Sequence, residues 1–197
     1  MARPRAFDEA KVLAATIDCF WRRGYEATSV RDLKDETGLT AASLYNAFGD
    51  KQALFRRALE RYLEDGVVDR MARCERLAPR AAIETFFAEI LAASLADAEH
   101  KGCLLVNTAL DVAPHEPEIR AAVAATFERI EAFFRARVAA GQADGTIGRA
   151  HSPEALGRHF LGTLMGVRVL ARVRPEPALL EGLVATALSL LDVEARA

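Results

Sequence analysis

Residues 28–55 read TSVRDLKDETGLTAASLYNAFGDKQALF, and this stretch decides the fold. Its apolar residues recur at intervals of three and four, which predicts two short helices at about 29–36 and 41–47 with Gly38 in the turn between them. A helix braced by a preceding helix across a short turn can enter the major groove of DNA. The stretch therefore predicts a helix-turn-helix. The apolar residues that would hold its two helices together are Val30, Leu33, Leu39, Leu44 and Phe48.

Three residues stand where helix N-caps are expected. Thr28 and Thr40 precede the two short helices, and Asp50 precedes a long helix that begins at Lys51. Short polar side chains at such positions accept hydrogen bonds from the first free N–H groups of a helix. The start of the long helix, with the charge of Lys51, would also favour a phosphate oxygen. This helix would link the N-terminal region to the rest of the chain.

Helical periodicity continues along the chain, without an alternating β-type run bounded by turn residues. A first helix is predicted at about 8–23, before Gly24,. We therefore expect an all-α fold of about nine helices. Proline and glycine residues divide the C-terminal part into predicted helices at about 79–98, 102–113, 117–141, 153–173 and 177–194.

The charge is unevenly distributed. The formal net charge is −2, and residues 1–57 hold 10 Lys and Arg against 8 Asp and Glu, whereas residues 58–197 hold 16 against 20. Proteins that coat nucleic acid without specificity usually have a large basic excess, which this chain lacks. The slight excess that exists lies where the helix-turn-helix is predicted.

Several classes of protein are disfavoured. No run of 18 apolar residues and no apolar signal segment occurs, so we expect a cytoplasmic protein without membrane association. Cys19, Cys74 and Cys103 form neither a CxxC pair nor a pattern with histidine, which argues against a disulfide framework and a zinc site,. Phosphate-binding loops, GxSxG, HExxH and paired carboxylates are also missing. We therefore predict no enzyme, and no catalytic residue, metal or cofactor.

Four short segments, in order and suitably spaced, together resemble the TetR repressors: TSVRDL at 28–33, GLT at 38–40, SLYNAF at 43–48 and DKQALF at 50–55. The resemblance covers about residues 7–55. It implies an N-terminal three-helix DNA-binding domain, which we place at residues 1–50. A helical ligand-binding and dimerisation domain would follow at residues 51–197.

The same resemblance implies which residues contact DNA. Thr28, Tyr45 and Lys51 would lie on phosphates. Thr40, Ala41, Ala42 and Asn46 would lie near base edges. Residues 34–37, KDET, depart from the family's small-residue pattern, so the first helix of the pair is expected to pack slightly differently. Arg3 and Arg5 precede the first predicted helix and are candidates for insertion into a minor groove of the DNA. The predicted DNA-binding residues are Thr28, Arg31, Thr40, Ala41, Ala42, Ser43, Tyr45, Asn46 and Lys51.

Two other interpretations stay open. In one, residues 28–48 are a plain helical hairpin of a bundle, with Tyr45 and Phe48 in its core. In the other, the chain is a helical small-molecule-binding protein whose helix-turn-helix is only structural, and an assay for duplex binding separates it from a regulator.

The last two predicted helices carry more apolar residues than one chain readily covers, which predicts a homodimer through them. Gly157, Gly162 and Gly166 are poor helix formers, and they suggest that another backbone passes close by. The resemblance implies a two-fold four-helix bundle, and packing within one chain is the alternative. The apolar residues concerned are Leu156, Phe160, Leu161, Leu164, Val167, Leu179, Leu180, Leu183, Val184, Ala187, Leu188 and Leu191.

A small-molecule site in such a domain is expected to be apolar with a few polar groups. Asn107 and His159 lie within apolar stretches and are the polar candidates, although each could equally be a satisfied core residue. The apolar candidates, most of which a plain core would also use, are Phe86, Phe87, Leu91, Leu105, Phe127, Ile130, Phe134 and Met165.

Cys103 is a further candidate in this domain. The segment KGCLLVN at 101–107 resembles one found in several members of the family, including electrophile-sensing and oxidant-sensing ones, which implies a reactive cysteine. A helix N-terminus beside Lys101 would favour the thiolate. Inert packing of a buried thiol is the alternative, and it is the interpretation we prefer for Cys19 and Cys74.

Together these features predict a ligand-responsive repressor that binds a palindromic operator as a dimer. A small molecule of unknown identity, or modification of Cys103, would release it by favouring a conformer in which the long helix after Lys51 swings.

Overall fold

The computed structural model describes residues 7–193, and all regular structure among them is helical. Helix α4, a π-helical turn at Glu64–Val68 and α5 follow one another without a break, so the ten α-helices form nine rods. The predicted all-α class with about nine helices is confirmed. Arg3 and Arg5 lie outside the described residues. The helices are α1 (Glu9–Arg23), α2 (Val30–Thr37), α3 (Ala41–Phe48), α4 (Lys51–Leu63), α5 (Asp69–Cys74), α6 (Pro79–Leu95), α7 (Leu104–Asp111), α8 (Pro117–Asp144), α9 (Pro153–Val173) and α10 (Pro177–Ser189).

Two of the three predicted N-caps are confirmed. The side chains of Thr40 and Asp50 accept hydrogen bonds from the first turns of α3 and α4. At α2 the cap is Ser29 rather than Thr28: Ser29 Oγ accepts from the Asp32 N–H at 3.2 Å, and Asp32 Oδ2 accepts from the Ser29 N–H at 2.8 Å,. The hydrogen bonds from Ser29 lower the pKa of Asp32.

Thr28 turns inward instead. Its side chain is fully buried, and its hydroxyl donates to the carbonyl of Gly24 at 2.6 Å. Thr28 therefore closes the turn after α1, and the predicted capping role at this position was wrong.

Aromatic rings fasten the N-terminal helices together. Phe55 on α4 lies edge-on to Phe20 on α1, with 4.9 Å between ring centroids, and 4.8 Å from the ring of Tyr25 in the turn that follows α1. Leu33 and Leu44 of the helix-turn-helix are also fully buried, as the predicted seam requires. Gly38, at φ +69°, ends α2 in a left-handed conformation that a residue with a Cβ rarely adopts,.

The larger C-terminal core is built around α8 and α9. Five phenylalanines from three helices form one cluster there, and Phe134 on α8 lies at its centre, within 5.5 Å of four other rings by centroid distance. The rings of the cluster are Phe86, Phe87, Phe133, Phe134 and Phe160.

No helix among residues 7–193 is both long enough and apolar enough to cross a membrane.

Replacement of Phe134 by Ala tests the importance of this cluster. We expect the free energy of unfolding to fall by about 3–5 kcal/mol, because a fully buried ring is removed and a cavity is left among rigid neighbours. Urea denaturation at fixed protein concentration measures the change. Leu110, which is 65% exposed, provides the control: Leu110→Ala should change stability by no more than about 0.5 kcal/mol. Equal effects of the two variants would contradict this assignment.

Candidate DNA interface and ligand cavity

The solvent-facing side of α3 holds the side chains predicted to meet base edges. Leu44 and Phe48 turn the opposite side of the helix into the core. The capping Thr40 Oγ1 accepts from the Ser43 N–H at 3.1 Å, which keeps both small polar side chains at the start of the helix. The exposed residues are Thr40, Ala42, Tyr45 and Asn46, and Ala41 and Ser43 are partly exposed.

Lys51 opens α4 beside this surface. Its Nζ lies 3.5 Å from the carbonyl oxygen of Glu26 and 4.5 Å from the centroid of the Tyr25 ring. Neither contact neutralises the ammonium charge, because one partner is a neutral carbonyl and the other an aromatic face. Lys51 is thus a positioned cation at a helix N-terminus, where a phosphate would be favoured.

Two other members of the predicted set sit differently. Arg31 is exposed on α2 and faces Asp35, with 3.8 Å between its Nε and the carboxylate. The buried Thr28 cannot offer its hydroxyl to a phosphate, since that hydroxyl is already bonded to Gly24. We therefore remove the Thr28 side chain from the predicted contacts. Within residues 34–37, Lys34, Asp35 and Glu36 are exposed and stand outside the helix seam.

A cavity of about 430 Å³ lies where the N-terminal helices meet the C-terminal ones. Trp21 of α1 and Tyr62 of α4 form one side, and Gly66 and Val67 of the π-helical turn continue it. The opposite wall comes from α6, the start of α7, α8 and α9. The remaining lining residues are Leu63, Arg70, Ile90, Ala93, Ala96, Asp97, Lys101, Gly102, Cys103, Leu105, Ile130, Leu164, Met165 and Arg168.

Sequence reasoning placed four of its candidates on this cavity: Cys103, Leu105, Ile130 and Met165. The polar candidates lie elsewhere. Asn107 donates to the Lys101 carbonyl at 3.0 Å and accepts from Arg172 at 3.0 Å, so its amide is satisfied by the protein, and His159 is exposed on α9.

The other apolar candidates also lie off the cavity. Phe86, Phe87 and Phe134 are fully buried in the aromatic cluster, and Leu91 and Phe127 pack against the core without lining the cavity. An inward position on a helix does not by itself distinguish a core residue from a cavity residue, so a ligand contact at these positions stays a prediction that this cavity does not support.

Cys103 is the N-terminal boundary residue of α7 and is partly exposed at the cavity, whereas Cys19 and Cys74 are buried. The hydroxyl of Tyr62 lies 3.7 Å from Cys103 Sγ and accepts a 3.4 Å hydrogen bond from the N–H of Leu104. Burial, followed by the proximity of Cys103, raises the pKa of Tyr62. Burial also raises the pKa of Cys19 and of Cys74, which keeps both as thiols.

The ammonium group of Lys101 is engaged by residues other than Cys103. Its ammonium pairs with Asp18 on α1 at 3.2 Å and with Glu99 at 3.1 Å, and it lies 5.0 Å from the Trp21 ring centroid. The lysine that sequence reasoning assigned to the thiolate therefore mainly ties the start of α7 to α1.

The outer face of α9 and α10 is only partly covered by the chain itself. Most of the apolar residues counted there are buried against the rest of the protein, but Leu183 is 38% exposed. Gly157 meets the backbone of α8, since a Cβ there would lie 3.2 Å from the Glu131 carbonyl oxygen. Gly162 and Gly166 face open space: among residues 7–193, no atom outside the backbone of α9 lies within 4 Å of a Cβ built at either position.

Residues that sequence reasoning missed include Trp21, Tyr62, Arg70 and Arg168, all of which line the cavity. Arg168 had a usable signal, because it interrupts the apolar run VRVL at 167–170. Trp21 and Tyr62 had none, since both fit the ordinary inward pattern of an amphipathic helix.

Comparison with known proteins gives concordant results. A family model described as bacterial regulatory proteins, tetR family, matches residues 12–58. A second, described as tetracyclin repressor-like, C-terminal domain, matches residues 79–187. Together they span both the helix-turn-helix and the cavity-forming helices.

Individual relatives cover the whole chain or a large part of it. The HTH-type transcriptional regulator YezE of Bacillus subtilis (strain 168) is 32% identical over 98% of this chain and 100% of its own length. The HTH-type transcriptional repressor ComR of Escherichia coli (strain K12) is 34% identical over 59% of this chain and 57% of its own. A cysteine mutant of the TetR family transcriptional regulator CifR, solved with 26-base-pair operator DNA, has a TM-score of 0.85 and 33% identity, covering 96% of this chain and 100% of that one. The chain belongs to the TetR family of bacterial transcriptional regulators.

Proposed function

We propose that this protein is a cytoplasmic, non-catalytic repressor that binds a palindromic operator as a homodimer and releases it when the cavity is occupied or Cys103 is modified. The observation that carries the proposal is the position of Trp21, which belongs to the first helix of the DNA-binding unit and also lines the cavity. A molecule in the cavity therefore touches the DNA-binding unit directly. The division into a DNA-binding part at 1–50 and a ligand and dimer part at 51–197 is part of the proposal.

The DNA-binding surface would consist of the exposed side of α3, the start of α4 and Arg31. Operator DNA in the complex of the 33% identical CifR supports this function for the shared fold. Asn46 and Tyr45 are exposed on α3 and long enough to reach base edges or phosphates, while Thr40, Ala41, Ala42 and Ser43 allow close approach,.

The homodimer would form through α9 and α10. The open space at Gly162, Gly166 and Gly182, together with the exposed Leu183, leaves room for the same helices of a second copy. A two-fold axis there would set the two α3 helices about one helical turn of DNA, roughly 34–36 Å, apart. Protein symmetry would then dictate a palindromic operator.

Selection of bound duplexes from fragmented genomic DNA by the purified protein tests the function. We expect enrichment of a palindrome, because two symmetry-related recognition helices read inverted half-sites. If no duplex is enriched from reduced protein, the regulator proposal fails and the alternative of a small-molecule-binding protein with a structural helix-turn-helix replaces it.

Lys51→Ala tests the phosphate contact. Each dimer would lose two phosphate contacts, so affinity should fall on all duplexes alike, and the slope of log K against log salt concentration should become shallower by about 2. Fluorescence anisotropy over a salt series measures both. Arg174→Ala removes a cation whose exposed side chain is bonded to Glu176 after α9, and it should leave the slope unchanged. An unaltered slope in Lys51→Ala would remove this residue from the interface.

Cys103→Ser tests the cysteine route. The Cys103 thiolate adds to the C=C double bond of N-ethylmaleimide: an S–C bond forms, the C=C π bond breaks, and the resulting enolate takes a proton from water. The added group would stand in the cavity beside Tyr62. We expect the alkylated wild type to lose most of its operator affinity and the treated Cys103→Ser variant to keep it. Cys74→Ala, which removes a buried thiol, should respond like the wild type. Loss of affinity in treated Cys103→Ser would exclude Cys103 as the responsive group.

A further inference from the structure

Four charged side chains line the cavity, and two of them, Arg70 and Lys101, are paired with carboxylates. Arg70 Nε lies 3.0 Å from Glu89, Lys101 is paired as described above, and Asp97 accepts a 2.7 Å hydrogen bond from the N–H of Gly102. These contacts are built into the folded chain. Arg168 is then the cation of the lining that has no carboxylate partner among the described residues.

Arg168 has a neutral partner. Its Nη1 donates to Ser94 Oγ at 3.1 Å, and within the part of the chain that the structure describes no carboxylate lies within 4.0 Å of its guanidinium. The side chain is partly buried in the wall of the cavity. A guanidinium in this setting has lost part of its hydration without gaining an opposite charge, so a complementary anion would bind it strongly.

The polar groups around the Arg168 end of the cavity are mainly donors. The charge of Arg168 is close enough to Tyr62 to oppose the rise in that residue's pKa, so guanidinium and hydroxyl share a neighbourhood with Cys103. A group that only accepts hydrogen bonds fits these donors.

The rest of the lining is apolar, with Ile90, Leu105, Leu164 and Met165 among its residues. A volume of about 430 Å³ lies within the range of small-molecule sites,. One unpaired guanidinium matches one negative charge, whereas a dianionic phosphate would keep half its charge uncompensated.

We infer that the effector of this protein is an amphipathic organic monocarboxylate, whose carboxylate pairs with Arg168 and whose apolar body lies against Ile90, Leu164 and Met165. Guanidinium and carboxylate form two parallel hydrogen bonds in their best geometry. The inference rests on the proposed ligand-responsive function and names the chemical class of its ligand.

Trp21 is the single tryptophan of the chain, so its fluorescence reports occupancy of the cavity. We would titrate the full-length reduced protein with octanoate and 3-phenylpropanoate, and with the uncharged octanamide and 3-phenylpropanamide. Each carboxylate should bind at least about tenfold more tightly than its amide, because the amide keeps the shape and loses the charge.

Arg168→Gln keeps much of the side chain and removes the charge. It should weaken carboxylate binding at least about tenfold and leave amide binding unchanged. Arg172→Gln, one turn further along α9 and bonded to Asn107 rather than lining the cavity, should bind all four probes like the wild type. Circular dichroism melting of both variants checks that they fold.

Equal affinity for acids and amides, unchanged carboxylate affinity in Arg168→Gln, or no binding of any probe would each overturn the inference. Operator binding measured with the same probes separates it from the proposed function. If carboxylates bind through Arg168 and the operator stays bound, the ligand class is supported and ligand-controlled release fails. If amides alone bind and release the operator, the function stands and the ligand class is wrong.

Discussion

The edge-on contact between Phe20 and Phe55, 4.9 Å between centroids, fixes α4 on α1, and the rest of the structure depends on it. Helices α2 and α3 have eight residues each, too few to be stable alone, so their orientation comes from the helices that hold them. Seven residues after Phe55, two helical turns along the same face, Tyr62 meets Trp21 edge-on at 5.0 Å,. The two contacts hold the C-terminal end of α1 against both ends of α4, which makes the cavity wall and the DNA-binding unit one packed body.

Beyond Tyr62 the helix changes its winding. The π-helical turn at Glu64–Val68 widens the backbone where Gly66 and Val67 line the cavity, and π-bulges are frequent at functional sites,. Near the other end of α4, Gln52 donates to Glu116 at 2.6 Å and Arg56 pairs with Glu118 at 2.8 Å, both at the start of α8. Helix α4 therefore contacts the start of α8 near its own start and lines the cavity near its end, so a shift at one place would be passed along the helix to the other.

Much of this fold was predictable, because Pro79, Pro117, Pro153 and Pro177 mark helix starts that the structure confirms,. Helix ends were less accurate: α10 stops at Ser189 rather than near 194, since the following residues turn so that the Gly148 N–H reaches the Leu191 carbonyl at 2.9 Å. The π-helical turn adds one residue to a turn, which periodicity cannot resolve. The cavity was predicted only in part, because its lining comes from residues far apart in sequence. Whether Phe134 faces a void or another ring is settled by tertiary packing.

A ligand shifts a conformational equilibrium only by its differential affinity for the two states. Six of the eighteen lining residues belong to α6, α8 and α9. These helices would keep their arrangement in both states, so contacts there would contribute affinity without contributing release. The differential part would come from Trp21, Tyr62 and the π-helical turn, which belong to the body that the proposed release would move. The hydroxyl of Tyr62 is shared between Cys103 Sγ and the Leu104 N–H, and a group added at the thiol or an anion beside Arg168 competes for the same space. Covalent and reversible effectors would thus act through one contact, the one that ties α4 to α7.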